Sequence, residues 1–178
     1  AGAIAGAATK FSLAGTARAG GYLVAMGTWT IDAGYGVDDN AVFITSKGEM
    51  IVYSGTDPAA ASTWQLIGVW QLGSPIGRRP FVKWKGDLAI ICHDGLVPMA
   101  SGLQSTRLDP RVALTDKVQA AISQAISNYQ DNFGWEVQPF PRANALIVNV
   151  PVGEGSAQEQ YVMNTITGAW CRFTGWDA

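Results

Sequence analysis

The chain has a single histidine, set in the run Cys92-His93-Asp94-Gly95. A thiol beside an imidazole is the raw material of covalent catalysis, in which the base draws the proton from the nucleophile. The order of these residues argues against that use. Neighbours on an extended strand point to opposite faces, which directs Cys92 and His93 apart. Asp94-Gly95 then reads as a tight turn that closes the strand. Asp38 and Asp39, with Asp32 upstream, offer carboxylates to a cation. A calcium loop needs further oxygen ligands at regular alternate positions, and the run DAGYGVDDN lacks them. Turn aspartates that bond nearby backbone amides account for this run more simply. A weak cation site at Asp38 and Asp39 stays open. Arg78-Arg79-Pro80 is the one local basic cluster, suited to phosphate or to a carboxylate. With a net charge of −2 the chain offers no nucleic-acid surface, so a structural or intersubunit salt bridge is expected of Arg78 and Arg79.

The spaced glycines of GSPIGRR and GEGSA stand neither after a buried parallel strand nor before a helix, so a phosphate-cradling loop fails on context. The aromatics Trp64, Trp70, Trp84, Trp135, Trp170 and Trp176 fit a sugar platform or, more economically, core packing and subunit contacts. Trp64, Trp70 and Trp176, together with Arg78 and Arg79, are the expected interface residues. No paired carboxylates, Ser/His/Asp set or metal cluster emerges. The expectation is a non-enzymatic chain without a cofactor or metal.

The elements that must position these residues are mostly strands. Residues 1–19 are small and read as a flexible lead-in, with one short strand at most near Phe11–Leu13. Tyr22–Ile31 fits a strand interrupted at Gly27, and Asp32–Asn40 a loop. Ala41–Ser46 and Glu49–Ser54 flank Lys47-Gly48 as a hairpin. Trp64–Leu72 reads as a strand with Trp64, Leu66, Trp70 and Leu72 on one face. A second hairpin pairs Phe81–Trp84 with Asp87–His93 around Lys85-Gly86, and Leu96–Met99 follows. A helix is expected over 115–131, capped by Thr115, with Asp116 favourable to its dipole and Gly134 as its stop. Its apolar stripe is Val118, Ile122, Ala125, Ile126 and Tyr129. A polar face of Gln119, Ser123 and Gln130 is suited to an interface. Third and fourth hairpins follow, Trp135–Phe140 with Leu146–Val150 and Gln160–Asn164 with Ala169–Thr174.

The fold expected is all-β with this one inserted helix. Gly48 and Gly86 lie 38 residues apart, and the later hairpins return to a similar spacing once the helix is subtracted. Modules recurring near 40 residues fit β-propeller blades, and a sandwich is the competing arrangement.

Composition sharpens the picture. The 178 residues suffice for one domain with a sizeable core, and 48% are apolar. Only 15% are charged, against about 25% in average soluble domains, which points to surface covered by neighbours. No apolar run approaches the roughly 20 residues of a spanning helix. Two cysteines cannot build a disulfide scaffold. Ala1 in place of an initiator Met leads us to expect an excerpt of a longer protein.

Several segments resemble a family of tailed-bacteriophage and prophage structural proteins, the propeller-containing tail proteins of the nozzle or hub kind in short-tailed phages. They are GGYLVAMGTWTID (Gly20–Asp32), GVDDNAVFITSKGEMIVYSGTDP (Gly36–Pro58), STWQLIGVWQLGSPIGRR (Ser62–Arg79), GDLAIICHDGLVPM (Gly86–Met99), ALTDKVQ (Ala113–Gln119) and YVMNTITGAWCRFTGWDA (Tyr161–Ala178). The resemblance implies a β-propeller-like domain over residues 20–178 and residence in the virion tail. It implies copies assembled as a ring, typically a hexamer, around the channel through which DNA leaves. Other tail and head-connector proteins would be its partners. DNA would pass without sequence-specific binding, and no membrane is involved. The alternative of another class is a propeller that binds host-receptor glycans.

Overall fold

The computed structural model describes residues 10–32, 37–102 and 110–176. Eleven strands form three antiparallel sheets there, and each sheet is a meander of strands consecutive in sequence. The first contains β1 (Leu23–Asp32), β2 (Val37–Thr45), β3 (Glu49–Gly55) and β4 (Trp64–Gln71). The second contains β5 (Phe81–Trp84), β6 (Asp87–Cys92) and β7 (Gly95–Pro98). A short helix, α1 (Met99–Gly102), and a 3-10 turn at Pro110–Val112 follow it. Helix α2 (Gln119–Tyr129) then leads to the third sheet, β8 (Glu136–Phe140), β9 (Ala145–Gly153), β10 (Ala157–Asn164) and β11 (Trp170–Thr174).

Alternation along β6 explains how the sheets stack. Leu88, Ile90 and Cys92 enter one core with Val42, Ile44, Met50 and Val52 of the first sheet. Ala89 and Ile91 enter a second core with Val137, Leu146, Val148 and Tyr161 of the third. The period of two thus places the second sheet between the other two, apolar on both faces. Helix α2 adds Ile122, Ala125 and Ile126 to the second core, as its predicted stripe requires. Polar ties reinforce the stack. The Trp29 indole donates to Asp87 Oδ1 at 2.7 Å, and Asp87 Oδ2 accepts from the Ala100 amide at 3.0 Å.

Turn chemistry matches the sequence where glycine decides it. Lys85 (φ 48°) and Gly86 (φ 78°) both take the left-handed conformation of a two-residue hairpin turn. At Gly48 (φ 79°) a Cβ would lie 2.2 Å from the Leu72 carbonyl oxygen, so closeness as well as conformation requires glycine.

Several expectations need correction. The four hairpins are not separate modules: the third and fourth share one sheet through the β9–β10 pairing. Residues 10–19 contain no strand at Phe11–Leu13; the chain turns there, with the Thr16 and Ala17 amides donating to the Leu13 carbonyl. The expected loop at Asp32–Asn40 is mostly ladder, since Val37–Asn40 pairs with Trp29–Asp32. Gly27 does not interrupt β1. A Cβ at this position would meet Leu88 and Phe81 of the second sheet at 3.4 Å, an ordinary contact. Helix α2 is shorter than 115–131 and starts after a 3-10 turn at Asp116–Val118. Thr115 makes no cap bond. Its buried hydroxyl accepts from the Leu96 amide at 3.2 Å and ties the helix start to β7. Gly134 stands beyond the end of α2, in the segment that leads to β8.

The largest correction concerns β4. Gly68 pairs with Val52 and Leu66 with Tyr53, so Ile67 is a surplus residue in a β-bulge. Val52 and Tyr53 face opposite ways, and Leu66 and Gly68 therefore do too. Trp70 and Leu72 join the inner core, with the Trp70 ring lying where a Gly68 Cβ would project. Trp64 sits on the outer face, stacked on Tyr53 at 5.5 Å with Phe11 edge-on at 6.0 Å. Residues 10–19 cover part of that outer face. The buried Glu49 carboxylate fixes them by accepting from the Arg18 and Ala19 amides, each at 2.8 Å.

Candidate functional site

Three of the five expected interface residues, Arg78, Arg79 and Trp176, converge although nearly a hundred positions separate them in sequence. They line an open groove of about 1690 Å³. Its floor is the outer face of the third sheet, where Glu136, Asn149 and Gln160 stand in cross-strand register. One wall comes from residues 130–135 between α2 and β8, and another from the connector before β5 with Gly77, Arg78 and Arg79. Trp64 and Trp70 lie elsewhere, on opposite faces of β4.

Side-chain amides hold the floor. Asn149 Nδ2 donates to the Gly134 carbonyl at 3.0 Å, and Asn149 Oδ1 accepts from Gln160 Nε2 at 2.9 Å. The same Gln160 nitrogen donates to the Trp176 carbonyl at 2.9 Å and draws the chain end across the groove. Gln160 is 3% exposed, and its Oε1 has no hydrogen-bond partner. Such an acceptor favours a nearby donor.

Each arginine of the groove has a neighbour. Arg78 stands over the Phe133 ring, 5.4 Å from its centroid. Arg79 reaches Glu136 at 3.8 Å, an exposed pair worth little stability. The Phe133 amide donates to Glu154 Oε1 at 3.1 Å. Phe133 and Trp176 are 64% and 55% exposed.

Cys92 and His93 are separated as strand alternation requires: Cys92 is fully buried, and His93 is exposed. Burial pushes the Cys92 thiol up to about 12, and the Asp94 carboxylate adds to the shift. A thiol so held is inert as a nucleophile near neutrality. Asp94 serves the connector instead, with Oδ2 accepting from the Gly73 amide at 2.5 Å. At the aspartate run, Asp39 accepts from the Thr30 hydroxyl at 2.6 Å, while the side chains of Asp32 and Asp38 fall outside the described residues. Among the described residues no group of three His, Cys, Asp or Glu side chains is placed to hold a metal ion.

Sequence reasoning did not find Gln138, Asn149, Gln160 and Phe133. The only signal for the three amides is polar residues alternating with apolar ones along β8 to β10, which marks an outward face but not a groove, and Phe133 in the segment before β8 has none. No protein-family model matches the chain, and the search of curated proteins returns no match.

Proposed function

We propose that this chain is a structural component of a bacteriophage tail. In this reading its three stacked meanders serve as blades of a β-propeller, and its copies form a nozzle or hub ring around the DNA exit channel. The phage context rests on the segment resemblances described above. One observation supports a role in assembly. Exposed large apolar side chains gather on the strands that end the first and third sheets: Leu23 and Met26 on β1, Leu66, Ile67 and Val69 on β4, Phe140 on β8, and Phe173 on β11. Among the described residues the inner strands β2, β3, β9 and β10 carry none. Edge strands of free-standing proteins usually hold charges or prolines that deter pairing. Strand β4, WQLIGVWQ, has neither. Such edges fit burial against neighbours, where low charge and aromatic content are favourable.

The mechanism is mechanical: stiff sheets hold an opening, and a weakly acidic wall avoids trapping phosphates. Electron microscopy of the purified chain, with mass spectrometry of tail fractions from induced particles, tests the reading. Closed rings and recovery of the chain in tails support it. A monomer at high protein concentration, or absence from tails, overturns it.

A further inference from the structure

We propose that the groove on the outer face of the third sheet binds a neutral oligosaccharide. The proposal does not rest on the ring reading, although two of the edge residues named above, Leu23 and Phe140, also line this groove. Three features of the groove carry it.

First, exposed rings and unengaged hydrogen-bonding groups stand together. Trp176 and Phe133 present apolar surface of the kind on which the C–H face of a pyranose packs. Beside them, Gln130, Asp131 and Gln138 have no side-chain partner among the described residues. Two amides, each donor and acceptor, and one carboxylate acceptor match vicinal hydroxyls, which also donate and accept.

Second, the charges exclude a polyanion. Arg78 and Arg79 face three carboxylates, Asp131, Glu136 and Glu154, and each guanidinium already has a neighbour in Phe133 or Glu136. A phosphate-bearing ligand would meet more negative than positive charge.

Third, Gln160 lines the groove with a buried side-chain carbonyl that lacks a hydrogen-bond partner, and a small shift of the amide would let it accept from a ligand. A hydroxyl supplies the donor, whereas a phosphate or an ionised carboxylate does not. The amide chain from Gly134 through Asn149 and Gln160 to Trp176 holds the floor and the aromatic platform as one unit, so the site is preformed.

The test uses the 178-residue chain with maltohexaose, cellohexaose and chitohexaose as probes, followed by calorimetry and amide chemical shifts. Polyphosphate and an uncharged hexapeptide are the comparisons. At least one saccharide should bind and shift resonances of residues 130–138 and 176. Trp176→Ala should weaken it about tenfold, the equivalent of one lost stacking contact, while Trp176→Phe stays within about threefold. Gln138→Ala should also weaken it, and Trp64→Ala, on the other side of the stack, should leave it unchanged. Light scattering on the same variants separates this outcome from any effect on assembly. No saccharide binding at millimolar concentration overturns the proposal. Equal binding by Trp176→Ala and Gln138→Ala overturns it too, as does binding of polyphosphate or the peptide alone.

Discussion

Cys92 shows how a residue with reactive chemistry becomes a structural one. The unfolded thiol ionises at about 8.5, whereas burial keeps the folded thiol protonated up to about 12. The folded state therefore keeps a proton that the unfolded chain surrenders. This contribution to stability is complete below the unfolded value and drains away as pH rises toward 12. Urea midpoints should fall steadily above about pH 9, and Cys92→Ala should flatten that decline relative to its own neutral-pH value. Mass spectrometry after iodoacetamide at pH 8 should find the exposed Cys171 modified in the native protein and Cys92 only after denaturation. A Cys92 that alkylates as fast as Cys171 would contradict the burial on which both expectations stand. Alternation on a strand was enough to separate Cys92 from His93 in the sequence. The height of the thiol's pKa was not legible there, because it comes from Leu88, Ile90, Met50 and other side chains brought in from two sheets.

Strand β4 shows where pattern reading fails. Its residues at every second position suggested one face for Trp64, Leu66, Trp70 and Leu72, and the strand itself was placed correctly. A bulge leaves almost no mark in composition, because it arises from pairing with a partner strand. Ile67 is the surplus residue, so deleting it should leave Trp64 stacked on Tyr53 and lower the melting temperature only modestly. Deleting Gln65 instead should throw Trp64 to the other side and lower it severely; comparing the two melting curves checks the register. Hairpins closed by Lys47-Gly48 and Lys85-Gly86 were legible because a glycine, Gly48 or Gly86, stands in each turn where the backbone takes positive φ. The start of α2 was not, since Thr115 is recruited by β7, a contact that local sequence does not encode. The groove was half legible: its arginines and Trp176 stood out as unusual residues, while its amides gained meaning only when three strands aligned them.

Strand β6 makes the molecule a single cooperative body. Ile90→Ala empties space beside the first sheet and Ile91→Ala beside the third, and each should cost about 2–5 kcal/mol. Both variants should still unfold in one transition, seen alike by tryptophan fluorescence and circular dichroism; two separated transitions would show the cores to be independent. At the edges, Ile67→Lys with Val69→Lys should abolish association in light scattering and leave the melting temperature within a few degrees, because neither side chain is buried within the chain. The two ends of the stack are unlike. Phe11 and its neighbours pack on the first sheet's outer face, whereas the third sheet's outer face forms the floor of the open groove. A body with two unlike ends has polarity. Copies that join through such dissimilar ends follow one another head to tail, closing into a circle only when the angle between them divides a full turn and otherwise winding on as an open helix.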